Sequence, residues 1–271
     1  MLRSLLGLFL VLPATSKRPL NSTSERPLIG IYPTLTWLKP YQEWLAQEGA
    51  DSVVLPREFH GEHLEEIFQS INGFLIPGAA KSSDRTSAEE LVQRAVKANA
   101  EENDYFPVWG TCLGFEWLLD MFGNTSMSRG FDSYFLALPL QFTDAARSSR
   151  TYAGASGSLM SWFANEKITY NQHHLGITPE RFASNFGLTS TFKVLSTNPD
   201  RKGKHFVSQF EGKSLPFYGT QFHSEKIQFS GGRNCPKSAH AKAGARYLGQ
   251  FFVSEARKSK HPRSGSGVVF M

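Results

Sequence analysis

Short unbroken apolar runs alternate along the first half of the chain with longer stretches whose apolar residues recur three and four positions apart. "RPLIGIYP" predicts a strand from Leu28 to Tyr32, and Leu38 to Glu48 predicts a helix with Tyr41, Trp44 and Leu45 on one face. "DSVVLP" predicts a second strand, and Glu62 to Ser70 a helix carrying Leu64, Ile67 and Phe68. "NGFLIPG" repeats the strand signal, and "TSAEELVQRAVKANAEEN" reads as a helix opened by a Ser or Thr cap. The run "FPVWG" and a helix after Cys112 complete the series. Strand followed by helix, repeated in this way, predicts an α/β fold: a three-layer α/β/α sandwich around a mostly parallel central sheet. Ligands of such sheets bind outside the carboxyl ends of the strands, and Cys112 falls at one of those ends.

Beyond Phe131 the pattern loosens. "SYFLALPLQF" and the Gly/Ser-rich "AGASGS" come first, and "NQHHLG" reads as loop. The strand-like runs "TFKVLST", "KHFVSQF" and "LPFYGTQFH" follow, and a closing helix over 239–258 is expected to bury Ala243, Tyr247, Leu248 and Phe251. The ends read differently. Residues 1–16, "MLRSLLGLFLVLPATS", have an early arginine, an apolar run and small residues, the layout of a secretory signal peptide. Residues 17–26 read as a linker, 27–260 as one domain, and 261–271 as a polar, mobile tail. After cleavage no span long enough to cross a membrane is expected, which places the chain in the secretory pathway, a lysosome or vacuole, or the exterior. The sequons at Asn21 and Asn124 agree with that route.

A net charge of +5 on 271 residues is modest, and its basic residues are scattered apart from "RKGK" and "ARKSKHPR". No concentrated basic face with interleaved aromatics argues for nucleic acid. With only two cysteines the chain can form one bridge at most, and that bridge would consume Cys112, so Cys112 and Cys235 are expected free.

Gly110-Thr111-Cys112-Leu113-Gly114 has the spacing of the G-x-S-x-G nucleophile elbow with sulfur in place of oxygen. A sharp strand-to-helix turn lifts the sulfur out of the sheet and sets it at a helix N-terminus. There thiolate is favoured and the N–H of Leu113 can face a developing oxyanion. A base is offered by "YGTQFHSE": His223 and Glu225 are two positions apart, so in an extended chain a carboxylate can orient the imidazole. The bland alternatives are an inert buried thiol and a structural histidine.

"PVWGTCLGFE" and "YGTQFHSEK" resemble the two signature blocks of the γ-glutamyl hydrolase family, in the class I glutamine amidotransferase-like superfamily. The resemblance extends to "RPLIGI", "SINGFLIPG" and "FFVSEARK". It implies Cys112 as nucleophile, His223 as general base and acid, Glu225 as the orienting group, and His173 and Glu116 as residues near the substrate. The loop after the third strand, normally Gly-Gly, would give a second oxyanion N–H from Gly78, although Ala79 and Ala80 follow here. Ser224 stands where the family carries proline. The substrate implied is a poly-γ-glutamylated folate or antifolate, with no metal or organic cofactor, and homodimerisation is an expectation carried by the family alone. Two other readings stay open: a γ-glutamyl peptidase or glutaminase acting on glutathione-like conjugates or glutamine, and a binding protein on a decayed hydrolase scaffold.

Overall fold

The structure, a computed structural model, describes residues 26–80 and 84–262. The signal-like segment, Asn21, most of the linker and the tail from 263 lie outside the described residues. The predicted alternation is present as β1 (Leu28–Ile31), α1 (Lys39–Gln47), β2 (Asp51–Val54), α2 (Gly61–Ser70), β3 (Gly73–Ile76), α3 (Thr86–Glu101), β4 (Val108–Thr111) and α4 (Leu113–Gly123). The looser middle holds β5 (Ser128–Arg129), β6 (Leu136–Leu138), β7 (Gln141–Phe142), α5 (Asp144–Arg147), α6 (Gly157–Asn165), β8 (Thr169–Asn171), β9 (Leu175–Gly176), α7 (Pro179–Ala183) and α8 (Phe186–Thr191). β10 (Phe192–Pro199), β11 (His205–Gly212), β12 (Phe217–Thr220), α9 (Lys226–Phe229) and α10 (Ala239–Ala256) complete the chain.

Eight strands form one sheet in the order β2-β1-β3-β4-β12-β11-β10-β7. β2 through β12 are parallel, whereas β11, β10 and β7 join antiparallel. The apolar runs are unbroken because both faces of the sheet are covered. Phe74, Ile76, Val108 and Phe217 pack with Leu64, Ile67, Phe68, Leu91, Val92 and Leu118 on one side. Leu75, Trp109 and Tyr218, the alternate positions, pack on the other side with Trp44 and Leu45 of α1, Phe163 of α6, and Leu248 and Phe252 of α10. Each such side chain, fully removed from water, contributes about 1.5–3 kcal/mol.

Four expectations need correction. The "NQHHLG" segment is not all loop: it joins β8 to β9, which pair with β6 and β5 in two small ribbons outside the main sheet. No serine or threonine hydroxyl caps α3; the Asp84 carboxylate does the work by accepting from the N–H and the hydroxyl of Thr86.

The buried face of α10 is turned from the one expected. Ala241, Ala245, Leu248, Phe252 and Val253 are buried, while Ala243, Tyr247 and Phe251 are only half-buried. Close approach explains this, because a methyl group on Gly249 would lie 2.9 Å from Trp44 Nε1, and that indole donates to the Ala245 carbonyl at 2.8 Å. Large apolar residues mark a helix face that is merely covered, whereas small ones mark the face where another element comes nearest.

His261 is not the start of a loose tail. It is buried, its Nδ1 lies 2.8 Å from the Ile71 carbonyl and its Nε2 2.8 Å from Asp104, and its ring packs on Phe68 and Phe106. The backbone carbonyl of His261 in turn accepts from Asn72.

Candidate active site

β4 ends at Thr111 and α4 begins at Leu113, so Cys112 alone makes the turn, at φ 51° and ψ −102°. A residue with a Cβ held there stores on the order of 1–3 kcal/mol of strain, a cost borne only where the surroundings over-determine the backbone. The two flanking glycines supply those surroundings. A Cβ on Gly110 would meet the Gly114 carbonyl at 2.6 Å, and one on Gly114 would meet the Ile76 carbonyl oxygen at 2.1 Å. Strand β4, helix α4 and strand β3 are therefore in backbone contact around the thiol.

Register brings the second signature block to the same place. Gly110 pairs with Gly219 and Thr111 with Thr220, and the Cys112 N–H donates to the Thr220 carbonyl at 2.8 Å. The chain after β12 thus emerges beside Cys112, and the His223 N–H donates to the Tyr170 carbonyl at 2.8 Å. His223 Nδ1 lies 2.7 Å from Glu225 Oε1. A methyl group placed on Gly78 would stand 2.7 Å from His223 Cε1 and 3.1 Å from Cys112 Cβ, so the two side chains border one point. Cys112, His223 and Glu225, at 6%, 3% and 1% exposure, share a site nearly closed to bulk water.

Burial sets the charge states. It acts first on the Cys112 thiol, with the Glu116 carboxylate adding to it, and together they push the thiol far above its ordinary range. The Leu113 N–H, which bonds the sulfur, and Lys226 oppose this without overcoming it. The thiolate expected from the helix N-terminus is therefore not the resting form, because desolvation outweighs the dipole. Burial likewise holds His223 below the ordinary imidazole value. For Glu225 burial acts upward, but the His223 partnership outweighs it and keeps the group ionised. A carboxylate only accepts, so Nδ1 carries the proton and Nε2 keeps its lone pair.

Two further residues complete the site. The Gly78 N–H, expected to be free, donates at 2.9 Å to the Tyr41 hydroxyl, which itself bonds Glu225. Gly78 thus leaves room for Cys112 and His223 instead of presenting an open donor. Gln221 Nε2 donates to Glu116 at 3.0 Å and lies 3.9 Å from Cys112 Sγ. Tyr41 sits on the apolar stripe of α1 and carries no signal separating it from core. Gln221 lies inside the second block, where strand alternation places it in step with His223.

Burial raises the Glu116 carboxyl to about 7, partly offset by the Gln221 bond. Above that pH it is ionised and holds the thiol protonated. Glu116→Gln is accordingly expected to speed alkylation of Cys112 by iodoacetamide at pH 8 about two- to tenfold, with the difference shrinking below pH 6. Mass mapping of the labelled Cys112 peptide reads it, and an unchanged rate at pH 8 would remove Glu116 from the thiol's electrostatics.

The comparisons with known proteins fit this geometry. The model of the glutamine amidotransferase class-I family matches residues 41–242. Mouse γ-glutamyl hydrolase is 34% identical over 90% of this chain and 82% of its own length, and the human enzyme 33% over the same shares. Dictyostelium discoideum γ-glutamyl hydrolase B is 31% identical over 98% of this chain and 82% of its own. The chain belongs to the γ-glutamyl hydrolase family. Solved structures agree on the fold. A putative GMP synthase component from Thermoplasma acidophilum superposes with a TM-score of 0.57 at 16% identity, covering 86% of this chain and 96% of that one. The glutaminase domain of Trypanosoma brucei CTPS gives 0.55 at 16% identity, covering 88% and 97%.

Within this chain, the departures from the family pattern noted above are absorbed locally. Neither Ala79 nor Ala80 has a positive φ, so replacing the second glycine strains nothing. Ser224 is buried, and its carbonyl accepts from Ile227 at 3.3 Å, opening α9 behind Glu225. His173 is buried, its Nδ1 2.7 Å from the Leu175 carbonyl, and burial drives its pKa down to about 3. A carbonyl only accepts, so Nδ1 is the protonated nitrogen, and Nε2 is a buried acceptor without a partner. His174 is exposed and stacks on Tyr134. Asn124 is exposed in a left-handed conformation at the end of α4. No helix among the described residues is long and apolar enough to cross a membrane, and no group of three metal-ligating side chains is found among them.

Proposed function

We propose that this chain hydrolyses γ-glutamyl amide bonds in poly-γ-glutamylated folates and antifolates, through an acyl-enzyme on Cys112. The observation that carries the reading is the neutral His223, held through Nδ1 by Glu225 and meeting the elbow cysteine at the space beside Gly78. The γ-glutamyl hydrolases it matches, named for that bond, supply the substrate class.

His223 Nε2 takes the Cys112 proton as sulfur attacks the γ-carbonyl carbon. The Leu113 N–H holds the oxyanion, a role worth roughly 3 kcal/mol. As the tetrahedral adduct collapses the C–N bond breaks, and the imidazolium gives its proton to the departing amine. Water, deprotonated by His223, then attacks the thioester carbonyl, and the proton returns to sulfur as the shortened acid leaves. Because attack begins from a neutral pair, imidazole basicity rather than a preformed thiolate drives it. Tyr41 and Glu225 fix the ring, while His173 offers its free nitrogen to a donor on the substrate.

A secretory route is part of this reading, supported by the leader-like pattern of 1–16 and by the exposed sequon at Asn124. The test is chromatography of products from pteroylpentaglutamate beside parallel incubations with glutamine and glutathione. Shortened pteroylglutamates from the first substrate and little turnover of the others are expected. Preferential release of ammonia from glutamine, or of cysteinylglycine from glutathione, would replace this reading with the glutaminase or peptidase one, and no turnover of any would leave a binding protein.

A further inference from the structure

Lys226 follows Glu225 directly and is the first residue of α9, half-buried beside the catalytic residues. Its ammonium acts on Cys112, His223 and Glu225 together, lowering the pKa of each. Glu225 is engaged by His223 and Tyr41, and among the described residues no ion pair to Lys226 is formed. Among the described residues the side-chain partner of Nζ is Gln172 Oε1, a neutral acceptor next to His173. An ammonium has three N–H donors, so two remain.

The substrate chemistry offers what the site lacks. In a γ-linked chain, the residue that gives the scissile carbonyl has a free α-carboxylate, separated from that carbonyl carbon by Cα, Cβ and Cγ. An ordinary α-linked residue other than glutamate has no anion at that position. We propose that Lys226 receives the α-carboxylate of the glutamyl residue whose γ-carbonyl Cys112 attacks, and so selects an acyl-side residue that carries that anion. The inference rests on the hydrolase reading above. It assigns Lys226 to specificity and leaves proton transfer to His223.

The test uses a synthetic pteroyl-γ-triglutamate in two forms: free acid throughout, or with a carboxamide at the α-position of the residue on the acyl side of the bond that wild type cleaves. For wild type the carboxamide is expected to lower kcat/KM about 10- to 100-fold, the scale of a charge-assisted hydrogen bond. Lys226→Gln is expected to raise KM for the free acid by a similar factor with kcat within about threefold, and to treat both forms alike. Lys226→Arg should restore most of the discrimination. A variant that loses kcat equally on both forms would make Lys226 a positioning residue acting through Gln172, and would overturn the inference. So would a wild type indifferent to the carboxamide, with the hydrolase reading intact. No wild-type turnover of the free acid would instead overturn the hydrolase reading, and this inference with it.

Discussion

Cys112→Ala is expected to lower kcat/KM by at least ~10⁴-fold while leaving substrate binding within a few-fold of wild type. In the proposed mechanism the covalent route runs through one sulfur, so its loss removes the step that Glu225, His223 and the Leu113 N–H would serve. Residues that act as a unit do not add, and His223→Ala in the Cys112→Ala background should therefore cost little more. The fold should not suffer. Removing the sulfur deletes one buried atom and leaves the strained backbone of 112 to a side chain no larger than before. Stopped assays on pteroylpolyglutamate and equilibrium binding of the same compound to the variant check both halves. Turnover within 100-fold of wild type would exclude Cys112 as nucleophile.

Gly114→Ala should damage the molecule itself. Its methyl would be placed 2.1 Å from the Ile76 carbonyl oxygen and 2.8 Å from the Ile76 carbonyl carbon and Cβ. Ile76 belongs to β3, which is hydrogen-bonded to β1 on one side and β4 on the other, so this backbone cannot yield as the end of a flexible side chain would. Overpacking of this kind, against main chain, is expected to cost ~3–5 kcal/mol and to lower the denaturant midpoint sharply. Gly157→Ala is the control. It opens α6 with nothing within 4 Å of the added methyl and should stay within about 1 kcal/mol of wild type. Equal midpoints for Gly114→Ala and wild type would show that the elbow glycines are not steric requirements.

The parts readable from sequence were those where one local pattern has one physical meaning. Unbroken apolar runs between amphipathic stretches dictate a covered sheet, and a cysteine between two glycines at a strand end dictates an elbow. Pairing of His223 with Glu225 follows from their spacing, and their approach to Cys112 follows once β12 pairs with β4. What escaped depends on elements distant in the chain. Tyr41 looks like any apolar-face aromatic until α1 is laid beside the 78–80 loop. Gly78 looks like an oxyanion donor until that tyrosine takes its N–H. The neutral thiol could not be inferred either, since the helix N-terminus favouring thiolate is local while the burial opposing it comes from the whole domain. Misreading the face of α10 had a similar origin, because glycine and alanine carry little hydropathy yet mark where Trp44 comes closest.

The buried His261 has a practical consequence for where this domain ends. Its imidazole closes over Phe68 and Phe106 like a stopper, while its main chain occupies the Asn72 amide and its ring the Ile71 carbonyl. A recombinant version trimmed at 260 would uncork two phenylalanines and strand two polar groups beneath α2. Cleavage sites and affinity handles therefore belong beyond Pro262.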